Sequence, residues 1–406
     1  MTGGEFGSRV YENMRALQQE GQDANQIAKT LCDQDPQGHN YGIGIVLNGQ
    51  GQPAQTSSTL IRYAIAEIEH SRSGRYMNSN AALPALKKAL LQWQRIPEQY
   101  WEHFLLALPS DAGTGAVKTA IEIALQRDCH IDTLGLEDLG WPAYKALAKA
   151  SRLHVQEFAA GEVIGGKGVL PLYQAGPMNT TGLVQPSERI QAHAAAAAAA
   201  GSFVILDRAY PGFEFARLLA ESSYEDVMHM SYELKLAPFL REGVPCAIAL
   251  GPTKAFVTFA LRPCGLVLIF CPDRSQKPAI RTVVNTTIRA RGSAFEHPVT
   301  RAFVKAMIHD RAALEAEHRV VLKRLAEAET IWRRSVSGTA IEYLYADNYA
   351  GLFRNPRVRE NAEMIIYNEH LYPVFSGGRC RQNVTGIPDA PELAQKHIAV
   401  FAEQCY

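Results

Sequence analysis

The sequence predicts an α/β protein: a large layered domain on a mostly parallel sheet, with a smaller α+β domain beside it. Three observations predict this. From about residue 105 to 270, short apolar runs alternate with segments of helical periodicity, the pattern of strands joined by crossover helices. One such unit, FLLALPSDAGTGAVKTAIEIAL, passes from an apolar strand ending at Pro109 through a small-residue turn into a helix. After about residue 335 the elements shorten, alternate and end in a helix, as a separate α+β unit would. The expected division is residues 9–55 joining the small domain, a large domain over 56–300, and a connecting helix with the small C-terminal domain over 301–406.

Composition narrows the function. The 406 residues are 47% apolar, enough for a sizeable core, and Lys+Arg and Asp+Glu are both 41. A balanced charge argues against nucleic-acid or membrane-surface binding, where a basic excess is expected. No apolar run reaches the length needed to span a bilayer. Seven scattered cysteines without a CxxC pair point to reduced thiols in a cytoplasmic enzyme. The twelve histidines are dispersed, with no HExxH and no Cys/His cluster, so no metal site is expected. The start, MTGGEFGS, lacks the order of a signal peptide, and its EFGS reads as a cloning scar outside the fold.

Taken in order, residues 9–33 read as one amphipathic helix, and NYGIGIVLNGQGQP as a short strand with a glycine turn. Gly42 and Gly44 either let backbone approach a ligand or relieve crowding. Thr59–Arg72 has helical periodicity, and Tyr76 lies in the loop before the next helix. In AGTGA, Gly113 lets the backbone close on a ligand, the helix start offers free N–H groups, and Thr114 adds a hydroxyl. This is a phosphate cradle or a plain tight turn. Trp141 precedes a helix, placed to stack on a planar ring or to fill the core. GEVIGGKG (161–168) ends in Gly168 where a phosphate loop needs Ser or Thr, and reads as a loop.

The next unit, VLPLYQAGPMNTTGLVQPSERIQAHAAAAAAAGSFVILDRAYPGFEF, is strand, loop, helix and strand. Its alanine run is a good helix former. Asn179 sits in the loop, Asp207 ends the apolar strand FVIL, and Tyr210 follows. An acid at the C-terminal end of a parallel strand is where such folds place chemistry. TTIRARGSAFEHP reads as a polar turn, and Val299–Arg334 as one long connecting helix. SGGRCRQNVTGI places Arg379 and Arg381 beside a β-like segment.

Lys254 stands alone between the apolar runs CAIAL and AFVTFAL. A cation there is costly unless paired or neutralised. Desolvation lowers a lysine's pKa and frees the amine to attack carbonyls; a lysine snorkelling from a strand end is the alternative. An imine with pyridoxal phosphate would remove the ammonium and use the amine. Arg262, eight residues on, is a permanent cation suited to a phosphate.

In order and spacing, these stretches resemble the aspartate/aromatic branch of the fold-type-I, PLP-dependent aminotransferases, from NYGIGIV near residue 40 to CRQNVTGI near residue 380. The resemblance implies a large domain with a mostly parallel seven-stranded sheet and pyridoxal 5′-phosphate as cofactor. Lys254 would be its Schiff-base lysine and proton shuttle, Asp207 the carboxylate on the pyridinium nitrogen. Tyr210 and Asn179 would hold the phenolic oxygen, and Trp141 would stack on the ring. Gly113, Thr114 and Arg262 would bind the phosphate, with Tyr76 reaching over from a second subunit of a homodimer. Arg381 would grip the substrate α-carboxylate, Gly44 would line the same site, and Arg289 (or Arg291) of the neighbouring subunit would read a distal acid group.

The implied reaction moves an amino group between an acidic or aromatic L-amino acid and a 2-oxo acid. Some positions depart from the family pattern. Gly251 replaces a usual serine, NTTG replaces NPTG, and Met178 and Tyr144 stand where histidines are common. These departures raise β/γ-elimination, replacement or cyclisation on the same scaffold as the alternative.

Overall fold

The computed structural model describes residues 3–75, 77–159, 162–261, 264–292 and 296–406. Its centre is a seven-stranded sheet in the spatial order Phe104–Ser110, Gly265–Phe270, Cys246–Leu250, Val204–Arg208, Val169–Gln174, Thr133–Glu137, His154–Phe158. Gly265–Phe270 runs antiparallel to both neighbours, and the other six strands share one direction. Central strands of such a sheet are covered on both faces, so they are apolar throughout rather than alternating. Cys246–Leu250 and Gly265–Phe270 are accordingly buried at every residue.

The two faces feed two cores. Ile205, Ala247, Ala249, Val267 and Ile269 pack with Ala116, Val117, Ala120 and Ile121 of the Ala112–Arg127 helix. The alternate residues Leu206, Ile248, Leu250, Leu266 and Leu268 pack with Trp93, Phe239 and Phe303. This is the period-two geometry of strands acting on continuous apolar runs. The alanine run forms the helix Ser187–Ala199, burying Ala194 and Ala197.

The chain ends share a second unit. His39–Asn40 pairs in parallel with Leu371–Tyr372, and Val374–Ser376, Arg379–Asn383 and Phe353–Arg354 form a three-stranded antiparallel sheet. The helix Ala24–Asp33 packs on Leu371–Tyr372 and Val374–Ser376. Within this unit Trp332 stacks on Tyr345 at 5.4 Å and donates to the Val384 carbonyl at 3.0 Å. The buried Arg354 pairs with Glu329 at 2.6 Å and donates to four backbone carbonyls.

Several local expectations are corrected. Residues 9–33 are two helices, Gly3–Gln19 and Ala24–Asp33, and the first begins inside the stretch set aside as a scar. Gly21 at φ 78° turns the chain, and Asp23 closes a capping box with Gln26 that starts the second helix. NYGIGIV contributes only Asn40 to a strand, the two-residue His39–Asn40. The AGTGA turn is the first turn of the helix Ala112–Arg127, and the strand before it runs to Ser110.

TTIRARG is not a turn: it closes the helix Lys277–Gly292, with the Thr282 and Thr286 hydroxyls donating to carbonyls four residues back. The connecting helix is two helices, Pro298–His309 and Arg311–Ser335, broken at Asp310. The Asp310 carboxylate there accepts from Arg62 at 2.7 Å and Tyr63 at 3.1 Å. Against the expected lack of any Cys/His cluster, Asp128, Cys129 and His130 bring three ligand atoms within 4.8 Å of one another, all exposed.

Candidate active site

The C-terminal ends of the parallel strands surround a cavity of about 690 Å³. Lys254, Asp207, Tyr210, Asn179, Trp141, Gly113 and Thr114 all line it. Residues scattered over more than a hundred positions converge because each follows a strand that ends at this edge of the sheet.

The cradle depends on close backbone contact. Ala112 has φ 50°, and a Cβ on Gly265 would stand 1.8 Å from its carbonyl oxygen. Only glycine fits at 265, and it seats the helix start against the sheet. Gly113 faces Gly251, where an added Cβ would lie 3.4 Å from the Gly113 Cα.

Lys254 sits in the four-residue helix Pro252–Ala255, directly after the strand Cys246–Leu250. Its Nζ donates to the Gly44 carbonyl, so Gly44 joins the site through its backbone. Burial first, then the charge of Arg381, pulls its pKa down to about 8, against the opposing effect of Asp207. About a tenth of the amine is then neutral at pH 7, far more than for an ordinary lysine, and the neutral form is the nucleophilic one.

Asp207 is the last residue but one of the neighbouring strand, Val204–Arg208. Burial pushes its carboxyl up to about 6, while the Tyr144 hydroxyl, the Ala209 N–H and Lys254 favour the charged form. Tyr144 donates to Oδ2 at 2.6 Å, and Ala209 N donates to Oδ1 at 3.1 Å. Tyr144, noted in the sequence only as a replacement, thus touches the key acid directly. It also meets Trp141 edge-on, with ring centres 5.3 Å apart. Tyr144→Phe keeps the ring and removes the donor. A charge-assisted bond of this kind favours the carboxylate by an amount equivalent to roughly one to two pH units. Asp207 in the variant should therefore be roughly half to nine-tenths protonated at pH 7, measured by carboxyl infrared or ¹³C titration; an unchanged titration would show that the phenol does not support the charge.

Asn179 Nδ2 donates to the Tyr210 hydroxyl at 2.8 Å, and its own Oδ1 is buried without a partner. Its backbone N–H donates to Gln174 Oε1 at 2.9 Å. Gln174, unnoticed in the sequence, lies in register beside Asp207 at the edge of the cavity. Lys118, one helical turn beyond Thr114, also lines the cavity and pairs with Glu122 at 2.8 Å. The i,i+4 spacing from Thr114 was the available signal for it.

Arg381 lies on Arg379–Asn383, with its guanidinium 4.3 Å from the centre of the Phe353 ring. It is close enough to Lys254 and Tyr210 to act on both electrostatically. Arg289 is exposed on the helix Lys277–Gly292 and is not among the residues lining the cavity. Tyr76 and Arg262 lie outside the described residues, as does the side chain of Arg291.

These residues fit pyridoxal phosphate. The cavity offers a buried amine of lowered pKa, a carboxylate, an aromatic wall, an unpartnered Asn179 oxygen and a glycine-edged helix start.

Comparison with known proteins agrees with this geometry. The profile of the family described as Aminotransferase class I and II matches residues 45–341. A search of curated proteins found no match. Among solved structures, the fold resembles the aromatic-amino-acid aminotransferase from Burkholderia pseudomallei covalently bound to pyridoxal phosphate, at TM-score 0.77 and 16% identity, covering 93% of this chain and 96% of that one. It also resembles the broad specificity aminotransferase from Leishmania mexicana, at TM-score 0.75 and 17% identity over 94% and 95%. The cytoplasmic aspartate aminotransferase from Giardia lamblia matches at TM-score 0.73 and 16% identity over 94% and 96%. At these identities the structural likeness establishes the fold, that of the fold-type-I PLP enzymes. The profile covers well over half of the sequence, and the chain belongs to the aminotransferase class I and II family.

Proposed function

We propose that the protein is a pyridoxal-phosphate-dependent aminotransferase moving an amino group between an acidic or aromatic L-amino acid and a 2-oxo acid. The observation that carries this reading is Lys254 and Asp207 lining one cavity with Trp141, Tyr210 and Asn179. When bound, the cofactor supplies a protonated heteroaromatic ring that draws electrons from the substrate Cα. Asp207 keeps the ring nitrogen protonated by pairing with its charge. Tyr210 and Asn179 hold the phenolic oxygen, and Trp141 orients the ring plane. The N–H groups at Gly113 and Thr114 receive the phosphate. Lys254 Nζ takes a proton from the substrate Cα, and Arg381 holds the α-carboxylate.

Incubation with aspartate, glutamate, tyrosine and phenylalanine tests the reading. At least one should bleach the visible band of the lysine-linked cofactor and yield its 2-oxo acid. Release of ammonia without any amine form of the cofactor would overturn transamination. No observation among the described residues favours the elimination, replacement or cyclising alternative.

The protein is further proposed to be a homodimer with shared sites. On the helix Ser58–His70, Leu60 and Ala64 face inward against Pro298–His309, while Ile61, Ile65 and Ile68 are 40%, 55% and 55% exposed. Three isoleucines at this spacing form one apolar stripe suited to a second copy. In a dimer, Arg289 and Tyr76 would serve the neighbouring site, with Arg289 reading a distal carboxylate. Ile65→Asp should convert a dimer to a monomer in light scattering; a monomeric wild type would defeat the assignment.

Residues 9–55 and 301–406 would form the small domain and 56–300 the large one, supported by the pairing of His39–Asn40 with Leu371–Tyr372. The seven unpaired cysteines suit a cytoplasmic location. No helix among the described residues is long and apolar enough to cross a membrane.

A further inference from the structure

Arg381 is held from an unexpected direction. Its Nη2 donates to the Asn25 side-chain oxygen at 2.6 Å and to the Gly42 carbonyl at 3.1 Å. Its Nε is buried with no partner. Phe353 covers one face of the guanidinium. One donor nitrogen is therefore committed to the protein, while the Nε–H stays available.

Asn25 is itself held in place. It is the second residue of the helix Ala24–Asp33, and its backbone N–H donates to Asp23 Oδ1 at 2.9 Å within the capping box. That helix packs on Val374–Ser376, and Val374 is the register partner of Arg381. Gly42 is pressed into the same corner: a Cβ there would meet Val374 at 3.0 Å and the Tyr372 carbonyl at 3.3 Å. The absence of a side chain lets the Gly42 backbone reach the guanidinium. Burial pulls the Arg381 pKa down from its ordinary value, and the charges of Tyr210 and Asp23 act against that.

We propose that Asn25 is a positioning residue for substrate carboxylates: from the helix Ala24–Asp33 it fixes the Arg381 guanidinium so that the remaining N–H donors meet the incoming acid group. This rests on the assignment of Arg381 as the carboxylate-binding group. The residue type matters. A neutral amide oxygen takes up one donor without cancelling the guanidinium charge, and it costs the substrate little electrostatic attraction. A carboxylate at the same place would compete with the substrate's own. The helix Ala24–Asp33 thereby becomes part of substrate recognition through Arg381, although neither it nor Arg381 is among the residues lining the cavity.

The test measures binding separately from chemistry. Succinate and 3-phenylpropionate carry carboxylates but no amine, so they occupy the site without reacting. Their dissociation constants are measured by calorimetry on the cofactor-loaded wild type, Asn25→Ala, Asn25→Asp and Lys29→Ala. Lys29 lies on the same helix in an exposed pair with Asp33 and serves as the control. At least one acid should bind the wild type. Asn25→Ala should weaken it roughly three- to tenfold and Asn25→Asp by more than tenfold, with Lys29→Ala within twofold of wild type. In steady state the same variants should raise KM for the amino acid and leave kcat within about twofold, with the visible cofactor band unchanged.

Affinities in both Asn25 variants within twofold of wild type would overturn the proposal. So would weakening no greater than in Lys29→Ala, or no binding of either acid to the wild type at millimolar concentration. If the acids bind and respond to Asn25 while no amino acid converts the cofactor, the positioning role stands and the transaminase reading falls.

Discussion

Replacing Lys254 by alanine should remove the visible absorption band of the loaded protein and lower amino transfer by at least about a thousandfold. Loss of a positioned acid–base group alone costs roughly 10²–10⁴ in rate, and the covalent attachment point goes with it. The cavity itself should survive, because among the described residues the side chain's hydrogen bond is to the Gly44 carbonyl, and its approach to the Tyr210 ring is a loose one at 6.0 Å. The variant should therefore still take up the cofactor reversibly through the cradle at Gly113 and Thr114. Retention of the band in the variant would move the reactive amine elsewhere.

The pH dependence carries a definite sign. The neutral amine is the reactive form, and the pKa of Lys254 is pulled down to about 8. Uptake of cofactor by the empty protein should accelerate roughly tenfold per pH unit below 8 and level off above it. An ordinary lysine would keep accelerating beyond pH 10. A stopped-flow pH series distinguishes the two.

The largest stability effect is expected one residue beyond the key acid. Strand alternation sends Asp207 to the cavity and Arg208 to the opposite face, where it is fully buried. Arg208 donates to Gln94 at 3.0 Å, the Ala175 carbonyl at 2.7 Å, Ser231 at 2.6 Å and Glu214 at 3.2 Å. Ser231 in turn donates to Glu214 and accepts from the Gly212 N–H. The network thus ties down backbone on both sides of the Asp207–Tyr210 segment.

Glu214→Ala leaves the guanidinium buried without its counter-charge, at a cost of about 3–5 kcal/mol. For a chain of this size that lowers Tm by about 5 °C. Arg208→Met combined with Glu214→Leu should cost less than Glu214→Ala alone, because two apolar groups leave no stranded charge. Thermal denaturation of the wild type, Glu214→Ala, Arg208→Met, Glu214→Leu and the double variant checks this. Additive losses in the double variant would show that the charges act independently.

Much of the architecture was legible because its signals are local. The apolar runs of the central sheet, the small-residue turn after Ser110 and the alanine helix each depend on neighbours within a few residues. The same holds for Lys254 and Asp207: each follows an apolar strand, so a strand end could be read off and chemistry placed there. The family profile spans this region.

Where local signals misled, a contact distant in sequence decided. The periodicity over 299–334 continues through Asp310, but Arg62 and Tyr63 draw that carboxylate out of the helix. The opposite error occurred at 9–33, where the capping box at Asp23 was present in the sequence and was overridden by the periodicity of its flanks. TTIRARG looked like a polar turn because it carries two arginines among polar neighbours; in the helix the Thr282 and Thr286 hydroxyls bond back to the preceding turn.

By itself, then, the order of residues along the chain determined a layered α/β protein and marked the amine and the acid proposed to carry its chemistry, since strand ends and helix starts are written in short stretches. Only the tertiary structure decided what surrounds them. Tyr144 meets Asp207 across 63 positions, Gly44 meets Lys254 across 210, and Asn25 meets Arg381 across 356. Such pairs leave no periodic trace, because they arise from the closure of long loops and the docking of chain ends, and the free energy that selects them belongs to the packed molecule as a whole.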